Sequence, residues 1–207
     1  MSALFSPIQD FLSKRKNEYS FISEERKEIL LQFANEIRGL KLDQNYCEMI
    51  FVCTHNSRRS QIAQMFAFAC AEYLGLSGIR SYSGGTEVTS FHSNSVQALA
   101  KIGFRIEKEQ ETENNPRYLV SYKDNALPIS AYSKLYSDPA NPKKKFIAVM
   151  VCSSADEACP YVPGAGKRIS LPYSDPKEFD GTSEVLKKYV ETSETIAREL
   201  LFVMDHV

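Results

Sequence analysis

The spacing of apolar positions changes along the chain near residue 46. Ahead of it, Ile29, Leu30, Phe33 and Ile37 recur at helical intervals and form one stripe. Ser23 offers an N-cap to this segment, Glu24 and Glu25 suit its first turn, and Gly39 marks its expected end. Ser6-Pro7 reads as the cap and first position of a shorter helix through Phe11 and Leu12. Residues 1–45 are therefore expected to form a helical extension packed on the unit spanning 46–207; a dimer contact or a lid is the other use such a pair can have.

From residue 46 short buried runs alternate with helical patterns. The runs 47–52, 79–83, 146–151 and 167–171 read as strands, and 59–74, 95–102 and 183–205 as helices. Gly75 and Gly103 stop the first two helices, and Ser93-Asn94-Ser95 offers caps, with His92 as a loop residue before them. Alternation of this kind predicts an α/β fold, a three-layer sandwich with a central parallel four-stranded sheet and helices on both faces. Residues 107–145 break the rhythm. The charged, turn-rich stretch 107–116 reads as a solvated connection, and 117–123 and 129–136 alternate around Asp124-Asn125 as an inserted β-ribbon. Tyr118, Val120 and Tyr122 would share one ribbon face, and Tyr132, Lys134 and Tyr136 another.

Composition narrows the class. With 207 residues, 43% hydrophobic and 25% charged, the chain can bury a sizeable core. A net charge of -1 argues against a nucleic-acid surface, so anion affinity is expected to be local. No window has the length to span a bilayer, and the expected location is the cytoplasm. Five cysteines without a secretory signal point to reduced thiols with chemical uses. Cys70, inside a helical pattern, reads as a small buried apolar residue.

The chemistry concentrates at Cys53-Thr54-His55-Asn56-Ser57-Arg58-Arg59-Ser60, lodged between a strand and a helix. There, loop N–H groups and the helix N-terminus can converge on one tetrahedral oxyanion. The same field stabilises a thiolate, which makes Cys53 a candidate nucleophile. Arg59 supplies a planar fork able to hold two oxygens at once, and Ser60 a hydroxyl for the thiolate or the loop. Cys-x5-Arg alone also fits a core cysteine beside a surface arginine.

This stretch resembles the phosphate-binding loop of the low-molecular-weight protein tyrosine phosphatase superfamily. Its Cys-Thr-x-Asn-Ser-x-Arg-Ser pattern is most similar to the thioredoxin-coupled arsenate reductases. His55 stands where that branch usually has Gly, and Arg58 where it usually has Cys. The His adds a side chain where the loop can need an unusual backbone angle; the Arg adds charge beside the anion site. A second similarity lies at Cys152-Ser153-Ser154-Ala155-Asp156-Glu157-Ala158-Cys159-Pro160, which resembles the redox segment of the same reductases. Two incidental cysteines are the plain alternative, and a metal pair is disfavoured because His55, His92 and His206, the three histidines, lack ligand spacing to it. If 152–159 is helical, the two Cα atoms stand about 10 Å apart, too far for a disulfide, so joining them requires the segment to unwind. Asp175, held by Pro176 in the loop after the last strand, resembles the family's acid loop, and Phe179-Asp180-Gly181-Thr182 continues the similarity.

The resemblance implies the following chemistry. Cys53 attacks arsenate, held by Arg59 and residues 54–60, namely Thr54, His55, Asn56, Ser57, Arg58, Arg59 and Ser60, and Asp175 protonates the departing oxygen. Cys152 then releases arsenite by attacking Cys53, Cys159 takes over the disulfide, and thioredoxin reduces it. No metal or organic cofactor is implied. The second reading is a phosphatase using Cys53, Arg59 and Asp175 on a phosphotyrosine protein, with the later thiols as protection. A third is an oxyanion-binding or redox-sensing module without turnover.

Overall fold

The run Cys47–Cys53 becomes β1, the central strand of a parallel sheet, because β-branched and large apolar side chains fill both of its faces. The computed structural model describes residues 3–110, 114–158 and 161–207. β2 (Ile79–Gly85) pairs with one edge of β1, and β6 (Phe146–Met150) with the other. Outside β6 lies β7 (Ala165–Ser170), so the sheet order is β2-β1-β6-β7. The expected four-stranded parallel sheet is present. Its last strand begins at Ala165, before the expected Lys167, because pairing with Phe146 extends it.

Helices flank this sheet. α3 (Arg59–Tyr73) packs on β1 and β2, with Ile62, Met65, Phe66 and Cys70 wholly buried. Its chain reverses at Gly75, whose φ of 69° suits a residue without a Cβ. α4 (Ser93–Ile102) and α6 (Val185–Asp205) pack on each other and on α3. α4 starts two residues before its expected Ser95. His92 is its N-cap rather than a plain loop residue, its Nδ1 accepting the Asn94 N–H at 3.3 Å. α5 (Ser153–Ala158) follows β6 directly.

The N-terminal helices α1 (Ser6–Lys16) and α2 (Glu24–Gln44) pack on α6, and α2 also reaches β1 and β7. Phe5, not Ser6, occupies the N-cap of α1, leaving Pro7 in the first turn. Ser23 caps α2 as expected, its Oγ accepting from Arg26 N. α2 runs through Gly39, where a Cβ would meet open space, and stops at Asn45 in a left-handed conformation (φ 63°). A lone glycine costs a helix about 1 kcal/mol, which burial on the inner face readily offsets. Ile8, Leu12, Leu30, Phe33 and Ile37 are fully buried in the same core as the sheet, each contributing about 2 kcal/mol.

The segment 105–145 is more ordered than its charge suggests. β3 (Arg105–Gln110) occupies part of the expected solvated connection and pairs antiparallel with β4 (Arg117–Ser121), which pairs with the short β5 (Ile129–Ala131). Alternation explains the correction: Ile106 faces the core while its charged neighbours face water, as in a half-buried strand. Residues 111–113 lie outside the described residues. Val120 is buried, Tyr118 meets Phe91 edge-on, and Tyr122 stacks on Phe68, so this ribbon face packs against the core.

The ribbon's return limb then passes directly over the end of β2. Gly85 N donates to Lys134 O at 2.8 Å and Tyr136 N to Gly85 O at 2.9 Å. This approach requires glycine, because a Cβ on Gly84 would lie 2.4 Å from the Tyr136 Cα. Gly84→Ala should therefore destabilise the protein by about 2–3 kcal/mol, since the obstructing atom is backbone and cannot rotate away. Urea denaturation would measure it, and a midpoint unchanged from wild type would contradict this packing.

Candidate active site

Four groups from separate elements meet at the carboxyl ends of the sheet strands, where open α/β folds place their ligands. The loop 54–58 leaves β1 at Cys53 and enters α3 at Arg59. Asn56 takes the loop's left-handed turn, with a φ of 46°. His55 is not among the positive-φ residues, so a side chain there fits without that strain; its Nε2 lies 3.3 Å from the Glu87 carboxylate.

Asn56 is wholly buried and organises the loop. Its Nδ2 donates to Ser60 Oγ at 2.9 Å, and Ser60 Oγ lies 3.1 Å from Cys53 Sγ. With its oxygen taken by Asn56, Ser60 has its own proton to donate toward the sulfur. The Asn56 Oδ1 accepts from Gln61 Nε2 at 3.2 Å and from the Lys134 N–H at 2.9 Å. Ser133 Oγ donates to His55 O at 2.8 Å, and Gln61 Nε2 to Tyr132 O at 2.9 Å. The ribbon limb 132–134 is thus a strut behind the oxyanion loop. The sequence pattern pointed to its tyrosines, but the contacts come from its backbone and from the Ser133 hydroxyl, which the tyrosine pattern does not reveal.

Arg59 joins this loop to the acid loop. Its Nη1 donates to Tyr173 O at 2.9 Å and its Nη2 to Asp175 Oδ2 at 2.5 Å. Its Nε is buried without a protein partner among the described residues, and a buried N–H in that state favours an oxyanion as acceptor. Asp175 Oδ1 accepts from Lys177 N at 3.1 Å, which fixes the carboxyl at the start of a short 3-10 turn, Pro176–Phe179. Cys53, Thr54, His55, Ser57, Arg58, Arg59 and Asp175 line one shallow cavity.

α2 holds the acid loop from behind, a role its apolar stripe did not signal. Arg26 Nη2 donates to Pro172 O at 3.1 Å and to Glu199 Oε2 at 2.8 Å, and its guanidinium lies over the Tyr173 ring. Such a planar fork fixes two partners at once.

Arg58 lines the same cavity, and its guanidinium is held there by a second network. Its Nε donates to Tyr189 Oη at 2.7 Å and its Nη2 to Asp180 Oδ2 at 3.0 Å. Tyr189 and Asn94 both donate to Asp180 Oδ1. Burial works against the charged form of Asp180, but these hydrogen bonds from Tyr189, Asn94 and Arg58 outweigh it and hold the carboxyl below its ordinary range. Burial and the Arg58 charge push the His92 imidazole down. Arg58 is committed to this network, which ties the loop to α4 and α6. Asp180 was visible in the sequence only as part of the family similarity that follows the acid loop.

Cys152 arrives at the end of β6, as parallel topology requires. It is buried, with Sγ 3.7 Å from Thr54 Oγ1 and accepting the Ala155 N–H at 3.4 Å. α5 is anchored by Asp156, which pairs with Arg168 at 2.5 Å and accepts from Ser170 Oγ at 2.7 Å. Cys159 and Pro160 lie outside the described residues. Cys47 and Cys70 are inert by environment: burial pushes the Cys47 thiol up to about 12 and the Cys70 thiol further still. Among the described residues no group of three His, Cys, Asp or Glu is placed to hold a metal, and no helix is long and apolar enough to cross a membrane.

Comparison with known proteins agrees with this geometry. The family model for low molecular weight phosphotyrosine protein phosphatase matches residues 48–122. An arsenate reductase of Halalkalibacterium halodurans is 28% identical over 134 residues, 65% of this chain and 77% of that one. Another, from Brevibacillus brevis, is 28% identical over 160 residues, 73% of this chain and 99% of its own. In structure, the low molecular weight protein tyrosine phosphatase from T. tengcongensis superposes with a TM-score of 0.52 at 18% identity, covering 78% of this chain and 99% of that one. With the same sheet and the same strand-to-helix loop, the chain has the fold of the low molecular weight protein tyrosine phosphatases, and its similarity in sequence to arsenate reductases supports an enzyme of one of those two kinds.

Proposed function

We propose that the protein reduces arsenate to arsenite through a cascade of Cys53, Cys152 and Cys159, recycled by thioredoxin. The observation that carries this reading is the position of Cys152, whose sulfur is buried beside Thr54, the residue next to the nucleophile. A hydrolase has no need of a second thiol there.

In the proposed first step, the Cys53 thiolate attacks As(V) while Arg59 and the loop N–H groups hold its oxygens. An S–As bond forms, and one oxygen leaves as water with a proton from Asp175. The incoming dianion competes with Asp175 for Arg59, which leaves that carboxyl group to serve the departing oxygen. Cys152 then attacks Cys53 Sγ. An S–S bond forms, the S–As bond breaks, and its electron pair stays on arsenic, which leaves as arsenite. Two thiols have been oxidised and As(V) reduced to As(III).

Cys159 next attacks Cys152, freeing Cys53. In the proposed exchange α5 opens and the Asp156 anchor releases, so that Cys159 can reach Cys152. That movement would present the disulfide to thioredoxin, which returns both thiols to the reduced state.

A single turnover tests the proposal without the native reductant. Fully reduced protein would be incubated with arsenate, its free thiols blocked, and its disulfides mapped by peptide mass spectrometry beside an arsenite assay. One equivalent of arsenite with a Cys152–Cys159 bond is expected, and Cys159→Ser should trap Cys53–Cys152. No arsenite and no disulfide would sink the reductase reading; aryl-phosphate hydrolysis would then mark a phosphatase, and its absence a binding or sensing module.

A further inference from the structure

Behind the oxyanion loop, between the ribbon and the helix α3, lies a second cavity of about 460 Å³ that none of this chemistry uses. Its walls are aromatic, formed by Phe68, Tyr82, Tyr122 and Tyr132, and the exposed Leu127 lines it too. Lys134 and Arg117 also line it, and both sit over one ring. The Lys134 Nζ lies 4.8 Å, and the Arg117 Cζ 4.4 Å, from the Tyr132 centroid.

Two cations sharing one aromatic ring repel each other, and Lys134 is only 5% exposed. Among the described residues its ammonium has no hydrogen-bond acceptor. Asp138, the carboxylate acting on it, has its Oδ1 committed to Ala140 N at 2.8 Å and receives the Tyr132 hydroxyl at 3.4 Å. Burial pushes the Lys134 ammonium down to about 8; Asp138 opposes that shift and Arg117 adds to it. Two further side-chain oxygens on the same cavity are also left without partners. Gln64 Oε1 and Ser81 Oγ are buried and unpaired, in residues 4% and 1% exposed. A buried lysine and two orphaned oxygens in a flat aromatic cavity describe a site built to be filled.

The geometry points to a second ligand site in this cavity, one that takes a planar aromatic oxyanion, its ring between the tyrosines and its negative group between Lys134 and Arg117. The anion relieves the repulsion between the cations, and the flat ring matches the aromatic walls. Occupancy is transmitted to the active site by a short route. The Lys134 N–H holds Asn56 Oδ1, the adjacent Ser133 holds His55 O, and Tyr132 O accepts from Gln61. A ligand drawing on the Tyr132 and Lys134 side chains therefore acts on the strut that shapes the oxyanion loop.

The test uses 1-naphthoate and 1-naphthylphosphonate as the two anionic probes and 1-naphthalenemethanol as the neutral control. Each would be titrated into the full chain by calorimetry in saturating inorganic phosphate, which competes for the Cys53 loop, with amide shifts followed by NMR. One equivalent of an anionic probe should bind, moving the Gln64, Ser81 and Ile129 amides. Affinity should fall tenfold or more in both Lys134→Met and the half-buried Arg117→Met, the second variant guarding against misfolding of the first. The better of the two probes tells whether carboxylate or phosphate chemistry is preferred. Absence of binding by both anions, equal binding of the neutral alcohol, or shifts confined to residues 53–60 would overturn the proposal.

Discussion

Cys53→Ser should lower arsenate turnover and aryl-phosphate hydrolysis alike by about 10⁵-fold or more, the scale of losing a catalytic nucleophile. A serine oxygen fits the space and keeps the Ser60 contact, but its hydroxyl stays protonated where a thiol can ionise, and it forms no disulfide. Oxyanion affinity should survive, because Arg59 and the loop backbone are untouched. The informative partner is Cys152→Ser. It should abolish arsenite release by a similar factor while leaving hydrolysis of an aryl phosphate within about threefold of wild type, since only the reduction draws electrons from the second sulfur. Steady-state assays of both substrates on both variants would check this. Arsenite production surviving in Cys152→Ser would remove the proposed cascade.

Arg59→Lys should cost about 10²- to 10³-fold in kcat/KM although the charge is conserved. The guanidinium holds Tyr173 O with one nitrogen and Asp175 with another, and it retains a third buried N–H. One ammonium cannot reach the acid loop twice and still grip two oxygens of a tetrahedral anion. Both the positioning of Asp175 and the binding of substrate should therefore weaken, so KM should rise and kcat fall together. The corresponding change at Arg58 provides the contrast. Its guanidinium lines the same cavity but is taken up by Tyr189 and Asp180, so Arg58→Lys should act more on the thermal midpoint than on kcat/KM. Equal kinetic losses in the two variants would contradict this division of labour.

The elements with strong periodicity were legible without a structure. The four parallel strands and the helices after them follow from buried runs bounded by glycines and caps, where local preference and burial agree. Misplacements arose where tertiary contacts override local signals. Gly39 reads as a helix stop, yet α2 continues because its inner face is buried. The charged stretch after Arg105 reads as solvated, yet every second residue of β3 faces away from the core and pairing with β4 supplies the remaining energy. Arg58 reads as charge beside the anion site, which it lines, but the partners that hold its guanidinium lie 122 and 131 positions away and left no local signal.

By itself, then, the sequence determined the α/β class, the strand-to-helix loop that carries Cys53 and Arg59, and the delivery of Cys152 and Asp175 to the same end of the sheet. These depend on periodicity and on parallel topology, both properties of local chain order. Only the tertiary structure decided that Arg26 braces the acid loop, that Arg58 belongs to the Asp180 and Tyr189 network, and that the ribbon backbone at 132–134 supports Asn56. Each of these rests on hydrogen bonds between groups far apart in the chain. Such bonds require an alignment of donor and acceptor that only the packed core imposes, and composition or spacing carries no trace of it.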